Sequence, residues 1–201
     1  MTLPAREGRI IPMNADTPQV SNVLAVYNGA SADAMREGLS WYLDAHNFAR
    51  ILDPENVARA AGIIAALSPM NGWENNKRKA AQLYAQNGDG TGCGLTRNVA
   101  KAVRIFNGEK PLDVLNGDKV TAFYRTILDP TGDIDPVIDR HAFDIAVGER
   151  TDEKRRGALS RKGVYNDFAN VYREAARIAG IGSAQMQAIT WVAWREAIGI
   201  V

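Results

Sequence analysis

The chain has 201 residues, 46% apolar and 23% charged, which suits a globular protein able to bury a core. Its net charge of +1 excludes a globally basic nucleic-acid binder, so any such surface must be a local patch. A single cysteine, Cys93, excludes a disulfide framework and a multi-cysteine zinc or iron–sulfur site within this chain. No apolar run approaches the ~18 residues a membrane span needs, and the N-terminal MTLPAREGRIIPMN has no apolar core of a signal peptide. The expectation is a cytoplasmic protein with no membrane contact.

In chain order, residues 1–20 carry Pro4, Pro12 and Pro18 without a period and read as an irregular arm. One helical domain is expected over 21–201. Its first helix carries Val23, Leu24, Val26 and Tyr27 and breaks at Gly29. A second starts at Ser31, with Leu39, Tyr42, Leu43 and Ala45 expected on its inner face. Asp53 reads as an N-cap with Pro54 at the first helical position. The helix that follows, Asn56 to Ser68, is apolar nearly all round and belongs at the centre of a bundle.

Pro69-Met70-Asn71-Gly72 breaks that helix, and Trp73 to Ala85 resumes as a basic amphipathic one with Lys77, Arg78 and Lys79. The glycine-rich stretch Asn87 to Gly94 follows a helix and is not trailed by Lys-Ser/Thr, so it reads as a connection rather than a phosphate cradle. Thr96 is expected to cap a helix running to Phe106, ended by Gly108. A short helix, the turn Asn116-Gly117 and a helix opening at Asp118–Lys119 then form a hairpin over 112–128. A further helix is expected to open near Pro136, with Asp139 in its first turn. Residues 149–162 read as a charged loop with six basic and three acidic residues. Two last helices, about Tyr165–Ala179 and Ser183–Ala197, are separated by Gly180 and Gly182. With no convincing strand, the fold class is all-α.

Most polar residues that catch the eye have ordinary readings. Asp129, Asp133 and Asp135 lack the spacing of a calcium loop and read as loop and cap residues. His46 and Cys93 have no partner at ligand or catalytic spacing, so no metal and no cofactor is expected. Trp191 and Trp194 stand at helical spacing and read as packing, with an aromatic platform near a base as the second reading. The hairpin is more specific. A tight glycine turn between helices leaves backbone N–H groups free at Asn116 and Gly117, and the helix dipole favours a phosphate there.

VLNGDKVTAFYRTI…DPVIDRHAFDIAVG resembles the helix-hairpin-helix and following Gly/Pro…Asp segment of the HhH-GPD superfamily of DNA glycosylases, the endonuclease III-like enzymes. Lys119 matches that family's lysine nucleophile, Asp139 its aspartate, and His141 a position commonly histidine. A second stretch, AGIIAALSPMNGWENNKRKAAQLY, resembles the family's buried helix ending in Leu-Ser and its following Asn-Lys helix. The likeness covers roughly Asn56 to Gly148. The family's cluster cysteines have no counterpart, so the resemblance implies a divergent branch without the iron–sulfur cluster, of a kind found in phage. Pro69-Met70-Asn71 stands where the family often places a glutamine that wedges into the duplex.

The resemblance implies a two-lobed helical bundle that acts on DNA as a monomer. It implies cleavage of the N-glycosidic bond of a modified or damaged base, with lyase activity through Lys119 and charge stabilisation by Asp139. His141, Asn71 and Trp73 are expected around them. Asn116, Gly117, Lys77, Arg78, Arg155 and Arg156 are expected on phosphates. Two alternatives share the fold: a phage-type transferase that elaborates DNA bases, and a non-catalytic DNA-binding protein.

Overall fold

The computed structural model describes residues 17–132 and 134–199. The expected irregular arm falls mostly outside them. Eleven α-helices lie among the described residues, with no strand: α1 Val20–Asn28, α2 Ala32–Leu52, α3 Val57–Leu67, α4 Trp73–Ala85, α5 Thr96–Phe106, α6 Pro111–Val114, α7 Asp118–Leu128, α8 Arg140–Val147, α9 Glu153–Arg156, α10 Val164–Ala179 and α11 Ser183–Ala197. The chain is all-α, and none of these helices is long and apolar enough to cross a membrane.

The apolar helix α3 occupies the centre expected of it: every residue from Ala60 to Leu67 is buried. Helices α2, α4, α5, α6 and α7 contribute to the same apolar cluster. A second cluster joins α1 to α8, α10 and α11 through Val23, Phe143, Phe168, Tyr172 and Met186. The first helix of the chain thus packs with the last ones. Helices α2 and α11 run against each other and tie the two clusters together. Gly38 permits this approach, since a Cβ there would stand 2.4 Å from Ile189 Cα.

Several expectations need correction. Leu39 and Leu43 are exposed; Tyr42 and Ala45 lie on the inner face of α2 as expected, and Ala34, Gly38 and Ala49 complete it. Asp53 ends α2 rather than opening α3, whose N-cap is Asn56. The buried Asp53 carboxylate accepts from Asn56 N, Arg59 Nε and Tyr84 Oη. Leu95 is the N-cap of α5, so Thr96 is already inside the helix. Residues 149–162 are no simple loop; they hold α9 and a 3-10 turn, Gly157–Ser160. The last opening also moves: α8 starts at Arg140, with Asp139 as its N-cap.

Two connections set the geometry that follows. Gly117, at φ 85°, supplies the left-handed turn between α6 and α7 that a side chain resists. The 134–139 segment is fixed from outside. Ser183 Oγ donates to Ile134 O at 2.7 Å, and the Tyr165 hydroxyl accepts from Ile138 N at 3.1 Å.

Candidate active site

A cavity of about 120 Å³ opens beside the first apolar cluster, lined from α2, the α3–α4 connector, α4, α7, the 134–139 segment and α11. Lys119 and Asp139 both line it. They are 20 residues apart, yet each stands at a helix beginning, and the two beginnings face one space.

Asp139 divides its carboxylate between two tasks. Oδ1 accepts from His141 N and Ala142 N, both at 2.9 Å, which caps α8. Oδ2 accepts from Trp191 Nε1 at 3.2 Å, which holds the second oxygen beside the cavity. Lys119 is half-buried in the first turn of α7 and makes no ion pair or hydrogen bond among the described residues.

The walls are aromatic. Trp41, Trp73, Phe123 and Trp191 line the cavity, with Trp41 ring centroids 5.1 Å from Trp73, 5.7 Å from Trp191 and 6.1 Å from Phe123. Of the Trp191/Trp194 pair, only Trp191 lines the cavity; Trp194 packs into the second cluster. Tyr42 also lines the cavity; burial pushes its phenol well above its ordinary value, so it remains a donor, and its hydroxyl donates to Gln187 Oε1 at 2.5 Å.

Asn71 and Trp73 line the cavity, as expected. Asn71 does so as a brace: its Nδ2 donates to Leu67 O at 2.6 Å, and its Oδ1 accepts from Asn75 and Lys79. His141 is not part of the lining. It is buried behind Trp191, ring edge to face at 6.4 Å, and burial pushes its imidazole below the ordinary range. Its place is in support of the Trp191 ring.

The expected phosphate contacts separate. Arg156 is a structural residue. Its guanidinium pairs with the buried Asp144 through Nε at 3.0 Å and Nη2 at 2.7 Å, and so serves to neutralise a buried charge. Arg155 pairs with Glu149 at 2.9 Å, and Lys77 with Glu74 at 2.8 Å while lying over the Trp73 ring. Arg78 is exposed and hydrogen-bonded to the neutral amides of Asn75 and Gln82. At the hairpin tip, Asn116 accepts from Lys101 Nζ, and Asn116 and Gly117 are both exposed.

Sequence reasoning missed Trp41, Tyr42, Ser68, Asn76, Phe123 and Gln187 as lining residues. For two of them a signal was present. Asn76 sits on the buried face of α4 with Ala80 and Leu83, and Gln187 on that of α11 with Ala184 and Ala188. A polar amide at a core position of the helical period marks a site or a buried network.

A model for a family of unknown function, DUF7178, matches residues 11–198. The chain belongs to that family. No curated protein and no solved structure matches it.

Proposed function

We propose that this chain is a DNA-base-directed enzyme of the DNA glycosylase fold, cleaving the N-glycosidic bond of a modified or damaged base. The observation that carries the reading is that Lys119 and Asp139 line one aromatic-walled cavity. Resemblance to the HhH-GPD superfamily in two segments, in the right order, supports it.

The chemistry assigns a role to each group. A base inside a duplex is out of reach, so the nucleotide turns out of the stack and into the cavity. Aromatic faces hold the extruded base by stacking. The Lys119 amine bonds to C1′ of the sugar as the C1′–N bond breaks, and the base leaves with the bonding pair and a proton. Asp139, with Oδ2 held by Trp191, stabilises the positive charge that develops on the sugar. Loss of the ring oxygen from C1′ then gives a Schiff base, from which β-elimination cuts the strand. Exposed Arg78 and the hairpin tip at Asn116–Gly117 supply backbone contacts.

The test is incubation with oligonucleotides carrying damaged or modified bases, read by mass spectrometry. The expected result is base loss, abolished by Lys119→Ala and reduced at least about a hundredfold by Asp139→Asn, as for removal of one transition-state contact. A mass change without base loss assigns a base-modifying transferase instead. Binding without any mass change, indifferent to both substitutions, leaves a DNA-binding protein.

A further inference from the structure

We propose that Asn76 is a positioning residue for Lys119: its Oδ1 accepts an N–H of the Lys119 amine and turns the lone pair towards the cavity. The inference rests on the reading of Lys119 as a nucleophile and adds what aims it. Asn76 lies on the inner face of α4 and is 2% exposed. Its Nδ2 donates to Ile64 O at 3.1 Å. That bond fixes which end of the amide is which, because a carbonyl accepts only from the nitrogen. Oδ1 is left buried with no partner, in a side chain that lines the cavity. A buried acceptor of this kind costs stability until a donor meets it.

The donors around the cavity narrow to one. The Tyr42 hydroxyl is given to Gln187, Ser68 Oγ to Ala65 O, Asn71 Nδ2 to Leu67 O and Trp191 Nε1 to Asp139. The Gln187 amide is held by Tyr42, and the rings of Trp41 and Trp73 pack on each other with centroids 5.1 Å apart. Lys119 has no partner among the described residues, and its amine ends a flexible four-carbon stem. It is also the one cationic side chain among the described residues of the lining. A buried acceptor without a donor and a mobile donor without an acceptor thus share one cavity. With one N–H of the neutral amine on Oδ1, rotation about Cε–Nζ stops and the lone pair takes a single direction. Holding a nucleophile in the attacking geometry removes a large part of the entropic barrier to its reaction.

An oligonucleotide with an abasic site tests this without any base excision. The amine adds to the C1′ aldehyde, water leaves, and cyanoborohydride delivers a hydride to the C=N bond, so the rate of adduct formation reports the amine. Asn76→Leu should slow the Lys119 adduct at least about tenfold, with DNA affinity held within about twofold. Asn76→Asp keeps an oxygen towards Lys119 and adds a negative charge. It should recover the adduct, with the half-maximal rate reached at a pH about one unit higher or more, because a carboxylate beside an amine favours its charged form. A purely structural Asn76 gives neither the recovery nor the shift. Should both variants fail to fold, Lys119→Met decides: the Asn76 side-chain amide resonances should move in nitrogen-15 NMR, while those of Asn98, outside the lining, stay in place. Unslowed trapping in Asn76→Leu, no recovery in Asn76→Asp, unmoved Asn76 resonances, or no adduct on Lys119 each overturns the proposal. If adducts follow the expected pattern while no oligonucleotide loses a base, the excision reading fails and the positioning role stands. Base loss that is indifferent to Asn76 has the opposite meaning.

Discussion

At the scale of single residues, Asp139 carries two demands through one carboxylate: it caps α8 and faces the cavity. Trp191 separates these demands by holding only Oδ2. Trp191→Phe keeps a ring in the wall and removes that bond. A hydrogen bond to a charged group contributes about 1.5–3 kcal/mol, and 1.36 kcal/mol corresponds to tenfold in rate. The variant should lose roughly tenfold or more in kcat with KM and far-UV circular dichroism little changed; unchanged kcat would remove Trp191 from the account. Met70 is the other residue that invites a test. It is 86% exposed and held at φ 65°, on the connector whose neighbours Ser68 and Asn71 line the cavity. Apolar side chains of this kind wedge between base steps and unstack them. Met70→Ala should therefore slow reaction on duplex DNA several-fold while leaving single-stranded DNA and thermal stability unaffected.

At the scale of elements, the α2–α11 crossing ties the apolar clusters together. Alanine is the better helix former than glycine by about 1 kcal/mol, yet a Cβ at Gly38 meets the Ile189 backbone. Overpacking of that kind costs about 1–3 kcal/mol, and a backbone neighbour cannot step aside. Gly38→Ala should lower the urea midpoint, and a rise would mean that the helices slide freely. The sequence made some elements plain. Helix α3 announced itself by being apolar all round, and α4 by its N-terminal glycine break, because both signals are local. The inner face of α2 is legible in part: Tyr42 and Ala45 lie on it as expected, but Leu39 and Leu43 look like core residues, while small Ala34, Gly38 and Ala49 take places where helices cross closely. Asp139 moved from the first turn to the N-cap because the 134–139 segment is held out of the helix by Ser183 and Tyr165, both distant in sequence. No local pattern carries that information.

At the scale of the molecule, charge serves the fold in places where the sequence suggested a ligand. The run Lys154-Arg155-Arg156 reads as a basic patch, but Arg156 neutralises Asp144, 2% exposed in its side chain. Removing one partner of a buried pair costs about 3–5 kcal/mol. Arg156→Ala should unfold the second cluster at markedly lower temperature, and Arg78→Ala should weaken DNA binding with its stability intact. The reverse pattern would return Arg156 to the DNA surface. The cavity itself was legible only in part: Lys119 and Asp139 came from motif order, but the wall of Trp41, Phe123 and Trp191 exists only once α2, α7 and α11 converge.

That convergence is tested most directly by reducing the reaction with borohydride on a substrate oligonucleotide and mapping the DNA-bearing peptide by mass spectrometry. A covalent adduct on Lys119, lost in Asp139→Asn, is the outcome the account predicts. An adduct on another lysine, or base release with none trapped, would contradict it.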